Sequence, residues 1–460
     1  MWDAGLKNIY LPGTTIYTEE VESYWSITAQ QRPQCFVQPE NTEDVSKAVK
    51  VLVQQTECRF AVRSGGHSSN AGANNIDDGV TIDLTSVRPG ARWMSVYNTL
   101  DPLGIGVAGG RIGIVGVGGL LLGGGCSHYL ARHGLATDNI VGFEVVLADG
   151  SVVEATTDEN PDLYVALKGG GAGQFGIVTR FDLEAFPAVP FWTYGATYHG
   201  TDDGINGVQI AALKQWIDGL EDYQDGAAVV FWMYSLALGE ITIRQSLIDT
   251  TGQVAPPPFQ KFLSIPGETS ANAAMRNMSE IALTIQSPGY RNIWFSATFW
   301  NDERMLAKAV ELHEVLVEEI LTVIPDGDFE TQCFFQPLPA VVGRKGTERG
   351  GNILGIDKFD RNAVVLLGSL AVRNMELEAI GRVKMMAWKD ALEEYGRSLG
   401  LNSDYIYMNY ADGSQGVLNS YGAENVQKMR DVSQKYDPKK VFQTRVSGPF
   451  KLLTNDTGDF

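Results

Sequence analysis

Basic residues are scarce in this 460-residue chain, where 36 lysines and arginines face 55 acids for a formal net charge of −19. That balance repels nucleic acid and anionic membrane surfaces unless a local basic patch intervenes, and no such patch is visible. Long apolar runs are missing too, since no stretch approaches the roughly 20 apolar residues that span a bilayer. The four cysteines, Cys35, Cys58, Cys126 and Cys333, are too few to staple a chain of this length, so the fold rests on its core, which an apolar fraction of 44% supplies. The signatures of common hydrolases are also absent: there is no P-loop, no HExxH and no GxSxG. His128 and His133, five positions apart with no cysteine or acid at ligand spacing, read as a surface or interface pair, and no metal is expected.

The compartment stays open. Cys35 and Cys58 flank one helical segment and either pair in an oxidising environment or serve as small buried hydrophobes. The sequons NMS (277–279) and NDT (455–457) lean toward secretion. The opening MWDAGLKNIYLPG has neither a charged n-region nor an apolar h-region, which fits a cytosolic protein or one whose signal peptide has been removed.

Glycine is what the chain has in plenty. Of its 51 glycines, many gather between 65 and 176, in SGGH, AGGRIG, GVGGLLLGGG and GGGAGQFG. Such density is costly inside regular elements, so it marks backbone packed against something flat or folded into tight loops. Around these runs the order is legible. NTEDVSKAVKVLVQQ (41–55) predicts a helix capped by Asn41. CRFAV and GVTIDL (79–84) predict strands on either side of RSGGHSSNAG, and IVGFEVVLADGSVVEA predicts a hairpin turning at Asp149-Gly150. GAGQFG (171–176) matches the dinucleotide fingerprint G-x-G-x-x-G. However, a helix precedes it and a strand follows, the reverse of what that fingerprint needs.

Beyond Pro187 the character changes to aromatic strand-like pieces and two long amphipathic helices near 302–322 and 374–396. The fold class is therefore α+β, an antiparallel sheet covered by helices on one face. The simplest division is 1–190, a sheet domain at 191–414, and a C-terminal segment at 415–460 that returns to the first domain. YIYMNYAD (405–412) predicts a strand with Tyr405, Tyr407 and Asn409 on one face and Tyr410 on the other.

Taken together, FAVRSGGHSSNAG, GVGGLLLGGG, GLATDNIVGFEVVLADG, GGGAGQFGIVTRF, YMNYAD and KYDPKKVFQ resemble the FAD-linked oxidases of the vanillyl-alcohol oxidase and para-cresol methylhydroxylase type, within them the fungal berberine-bridge-enzyme-like group. The resemblance implies a two-part FAD-binding domain plus a substrate domain, and FAD joined covalently to His67. It implies a cradle from Arg63, Ser64, Gly65, Gly66 and Ser68, and further FAD contacts at Gly118, Gly119, Gly123, Gly124, Ser127, Gly134, Asp138, Asn139, Gly176 and Val178. Members with a second link carry cysteine where this chain has Ile112, so one tether is implied. Val115 matches the position where valine admits O2. Tyr407, Asn409 and Tyr410 match the family's Tyr-x-Asn-Tyr motif, and Asp357 is a candidate proton partner.

The expected activity is hydride transfer from a small secondary metabolite to the flavin, with O2 producing hydrogen peroxide. Trp192, Tyr194, Trp232, Tyr234, Trp294 and Trp300 are expected to wall the substrate site. A carbohydrate oxidase, or a non-redox cyclase or binding protein keeping flavin only as structure, is the alternative. Expected partners are the small-molecule substrate and O2, with no nucleic acid or membrane.

Overall fold

Asn41 sets the first well-marked element. Its side chain accepts the Asp44 N–H (3.0 Å), and the helix Thr42–Gln55 follows. Val45, Ala48, Val49 and Leu52 are buried along one face against Phe60, Val80 and Ile82. In this computed structural model, which describes residues 1–283 and 289–452, those partners lie in a four-stranded sheet. Its order is Ile9–Tyr10, Cys35–Val37, Val80–Asp83, Phe60–Arg63, the last three running parallel. The expected hairpin forms as Ile140–Val146 and Val152–Ala155, turning at Gly150 (φ 79°), and Ile177–Leu183 joins it to make an antiparallel sheet of three.

The second part is an eight-stranded sheet whose neighbours are all antiparallel: Ser270–Arg276, Phe191–His199, Ile241–Asp249, Gly226–Ser235, Glu330–Leu338, Ala363–Val372, Arg291–Trp300, Asn402–Ser403. The helices Glu303–Val323 and Met375–Leu399 cover one face, as expected. A third, Asp203–Asp218, lies beside them. Gly204 and Gly207 dilute its periodicity, so only the cap at Asp202, which accepts the Gly204 N–H (2.9 Å), announces it in the sequence.

Strand alternation sorts residues between the faces. Phe295 meets Trp388 of the covering helix edge-on (5.0 Å), while its neighbours Trp294 and Ser296 turn to the opposite face. Of the six aromatic residues expected to wall a site, only Trp294 reaches the main cavity. Trp232 instead points to the helix side, where its indole N–H donates to Asn206 (2.7 Å).

The C-terminal helix Ala423–Tyr436 stops before Pro438, and the buried Asp437 carboxylate takes the N–H groups of Val441 and Phe442 (2.9 and 2.7 Å). Val446 then bridges to Phe60, returning the chain to the first sheet. All four cysteines are free thiols. Asn277 of the first sequon is exposed, and the second lies outside the described residues. Among the described residues no helix is long and apolar enough to cross a membrane.

Candidate active site

His67 follows the strand Phe60–Arg63 through two glycines. Gly66 has φ 72°, a conformation glycine adopts without strain. A Cβ at Gly65 would sit 2.4 Å from Gly116 Cα, so the loop 64–68 and the loop opening the helix Val117–Leu122 touch backbone to backbone. Ser64 links them further: its hydroxyl donates to Pro89 O (2.6 Å) and accepts the Gly118 N–H (3.3 Å). These loops border a cavity of about 310 Å³.

The His67 ring stacks on Trp25 (4.2 Å between centroids, 9° between planes), and Trp294 meets Trp25 edge-on at 5.2 Å. Burial, with Arg92 adding repulsion, pushes His67 down to about 4 from its ordinary 6.5, so the ring is neutral near physiological pH. Trp25 sits far upstream of the glycine motif with no pattern around it, and sequence reasoning missed it.

The stretch 405–412 is not a strand. It runs extended with Tyr407 N–H donating to Ser296 Oγ (3.1 Å), then winds through a 3-10 turn at Met408–Tyr410. That turn brings Tyr410 to the same side as Tyr407 and Asn409, with the two tyrosine rings edge to face at 4.9 Å. Tyr405 leaves the site and stacks on Tyr421 (6.0 Å). Tyr407 Oη accepts the N–H of Gly125 (3.0 Å) and of the Asn409 amide (3.2 Å). Burial holds its phenol well above the ordinary value. The Arg111 guanidinium donates to Tyr410 Oη (2.9 Å) and lies 5.4 Å from the Phe334 ring, and burial wins over this charge to push Tyr410 up to about 12.

The cavity wall thus unites His67, Ser64, Gly65, Gly66, Ser68, Val115, Gly118, Gly119, Gly176, Val178, Tyr407, Asn409 and Tyr410. Other expected contacts stand behind it. Arg63, 1% exposed, is bound to Glu20 (2.6 Å) and Asp83 (3.3 Å). Gly123 and Gly124 leave room for the turn: a Cβ on Gly123 would lie 2.1 Å from Asn409 Oδ1, and one on Gly124 would lie 3.3 Å from Tyr407.

Ser127 takes the Tyr129 N–H, and Asn139 donates to the His133 and Leu135 carbonyls. Asp138 is saturated by Leu135 N and Asn352 Nδ2 (both 2.8 Å), and a Cβ on the Gly134 backbone would press 2.7 Å from its Oδ2. Asp357 is corrected outright, because the 3-10 turn Ile356–Lys358 leaves it exposed on the surface, away from the cavity.

His128 is likewise not at the surface. It is buried edge-on to Phe191 and pushed down to about 3, while His133 stacks on Phe186 (4.2 Å). No group of metal-ligating side chains occurs among the described residues. The wall also contains Arg111 and Phe450, which no expectation singled out, together with Ile112, Cys126 and Gln174, while Trp25 reaches the site only through its stack on His67.

An oxidised flavin nucleotide fits this wall by its chemistry. Glycine loops offer backbone N–H groups to a pyrophosphate, no lining residue is acidic, and a neutral histidine stands at the aromatic end. Family models described as "FAD binding domain" and "Berberine and berberine like" match residues 33–156 and 406–447. An FAD-dependent monooxygenase of Emericella nidulans, sdcF, is 36% identical over 97% of this chain and 96% of its own.

In fold the chain is similar to 6-hydroxy-D-nicotine oxidase from Arthrobacter nicotinovorans, with a TM-score of 0.76 and 19% identity over 98% of this chain and 97% of that one. It is similar also to a glucooligosaccharide oxidase from Acremonium strictum carrying 6-S-cysteinyl, 8α-N1-histidyl FAD, with a TM-score of 0.73 and 18% identity over 97% and 98%. The 36% identity with the Emericella relative, aligned almost end to end, joined to both family matches, reflects shared descent: the chain belongs to the berberine-bridge-enzyme-like family of FAD-dependent oxidoreductases.

Proposed function

We propose that this chain is an oxidase that tethers FAD through His67 alone and removes two electrons from a flat small organic molecule of the kind made in secondary metabolism. The observation that carries the reading is the convergence of His67, the Tyr407–Tyr410 turn and the glycine loops on one cavity. FAD, when bound, supplies a two-electron acceptor that O2 reoxidises with release of hydrogen peroxide.

The residues divide the remaining work. His67, neutral because burial opposes its charge, keeps a ring lone pair for the flavin 8α-methyl carbon. Ile112 lines the wall where a second tether would need cysteine, and burial keeps Cys126 a thiol rather than a thiolate. The loops at 64–68 and 116–119 hold the pyrophosphate, and Val115 leaves the small space that O2 needs. The tyrosine pair handles the substrate proton. The name of the Emericella relative favours a second reading, in which one oxygen atom of O2 enters the product.

The tests separate these points. Purified protein is yellow and stays yellow through acid precipitation, whereas His67→Ala releases its flavin into the acid supernatant. A colourless wild type sinks the flavin reading. Under isotopically labelled O2 the oxidase gives peroxide equimolar with product and no label in product, whereas label in the product establishes oxygenation.

A further inference from the structure

The wall of the cavity carries a single formal charge. Among its described lining residues there is no aspartate, glutamate or lysine, and the one cation is Arg111. In a chain with a net charge of −19 this is a marked local reversal. Among the described residues no carboxylate pairs with Arg111, whose guanidinium meets the Tyr410 hydroxyl and the Phe334 ring. A planar guanidinium with one N–H committed to a tyrosine keeps donors in the geometry that matches two oxygens of one acid group. With Tyr410 Oη already accepting from Arg111, the Tyr410 O–H is itself a donor to a ligand. Phe334, Trp294 and Tyr410 meet around this point, with Tyr410 edge-on to both other rings at 6.3 Å.

We propose that Arg111 and Tyr410 form an anchor for a carboxylate, and that the substrate class is a flat aromatic or unsaturated carboxylic acid. The proposal rests on the flavin-oxidase reading for its chemistry, but not for its binding test. A carboxylate suits the site better than a phenol does. A phenol must be ionised on arrival, and neither His67, pushed down to about 4, nor Tyr410, held up at about 12, takes that proton. A carboxylic acid arrives already ionised. With Tyr410 engaged as a donor, proton acceptance falls to Tyr407, whose oxygen takes N–H bonds from Gly125 and Asn409, the arrangement that stabilises a phenolate.

The test uses the flavin-loaded protein and three probes of one shape: 2-naphthoate, 2-naphthamide and 2-naphthol. Dissociation constants come from calorimetry or naphthalene fluorescence. The naphthoate is expected to bind roughly tenfold or more tightly than either neutral probe, as one charge-assisted hydrogen bond implies. Arg111→Met abolishes that ratio and Arg111→Lys keeps part of it, while both variants stay yellow. Equal binding of all three probes by the wild type overturns the anchor, as does an unchanged ratio in Arg111→Met. Should Arg111→Met not fold, the wild-type ratio and Arg111→Lys still decide. Because flavin absorbance is read separately, a colourless protein counts against the flavin reading, and a yellow protein indifferent to charge counts against the anchor alone.

Discussion

Tyr407 and Tyr410 are one turn apart, yet their hydrogen bonds differ, and the proposed duties differ with them. Tyr407 Oη is met by two N–H donors and Tyr410 Oη by a guanidinium. Tyr407→Phe should lower kcat by roughly 10²-fold or more, the usual share of a positioned proton acceptor. Tyr410→Phe should mainly raise KM. Steady-state kinetics with one substrate separate the two, and a KM effect confined to Tyr407→Phe would reverse the assignment. Burial raises the Tyr407 phenol, and a base works only when deprotonated, so kcat should climb as pH rises through the alkaline range. Asn409→Leu removes a donor to the phenolate and moves that limb to still higher pH.

Val115 borders the same wall, and Val115→Leu should slow reoxidation by O2 in stopped-flow mixing while leaving anaerobic flavin reduction unchanged. At this scale the sequence was legible where chemistry came as a run: His67 behind its glycines, and Tyr407, Asn409 and Tyr410 within four positions. Trp25 and Arg111 were not, because each is a single side chain brought in by a different loop. Arg63 lay inside the motif but turned away into a buried ion pair, and no local spacing foretells which way a side chain leaves its strand.

Among elements, a close backbone fit joins the loop at Gly65 to the loop at Gly116. An alanine Cβ at Gly65 would lie 2.4 Å from Gly116 Cα and 2.5 Å from its nitrogen, and backbone cannot swing aside as a side chain can. Gly65→Ala should therefore cost about 1–3 kcal/mol of stability, the usual penalty of overpacking, and lower the flavin-to-protein absorbance ratio. A variant with full flavin content and an unchanged denaturation midpoint would refute this packing.

A second element contact sets a pH response. His313, on Glu303–Val323, is fully buried with Nε2 2.7 Å from Thr331 Oγ1, and burial pushes it down to about 3. The folded protein refuses a proton that the unfolded chain accepts below its ordinary 6.5. The stability from this group is therefore complete above pH 6.5 and is lost as pH falls toward 3, at about 1.4 kcal/mol per unit. Buried Asp83, Asp138 and Asp437 are raised and act in the opposite sense, so the measurement is a difference: His313→Leu should show a shallower fall in denaturation midpoint across that window than the wild type.

Element type was readable where caps and periodicity agreed, as at Thr42–Gln55. It failed at 405–412 because a tyrosine-rich run looks the same whether it pairs with a strand or, as here, bonds to one serine hydroxyl and turns.

Across the whole molecule, the edge strand Phe60–Arg63 of the first sheet is completed by the end of the chain. Arg445 reaches back 393 positions to donate to Leu52 O (2.7 Å), and it donates also to Cys58 O (2.7 Å), taking up carbonyls where the helix Thr42–Gln55 ends. Ser447 N–H then bonds to Phe60 O (2.8 Å), and residues 447–450 continue into the cavity wall. Gln443 fastens the same segment to Gln174 (2.9 and 3.0 Å), beside the glycine loop. The closing contacts lie so far apart in sequence that no window of residues could reveal them; the order of elements suggested that the tail returns, but not which residues would hold it.

Arg445→Met should cost on the order of 1.5–3 kcal/mol, the worth of a hydrogen bond to a charged donor. It should also loosen the wall before it unfolds the sheets, because the cavity segment hangs directly from that anchor. On denaturant titration, flavin fluorescence should rise at lower concentration in the variant than far-ultraviolet circular dichroism falls, whereas in the wild type the two move together. Coincident curves in the variant, shifted or not, would show that the tail is a passive part of one cooperative unit rather than the clasp that closes the cofactor site.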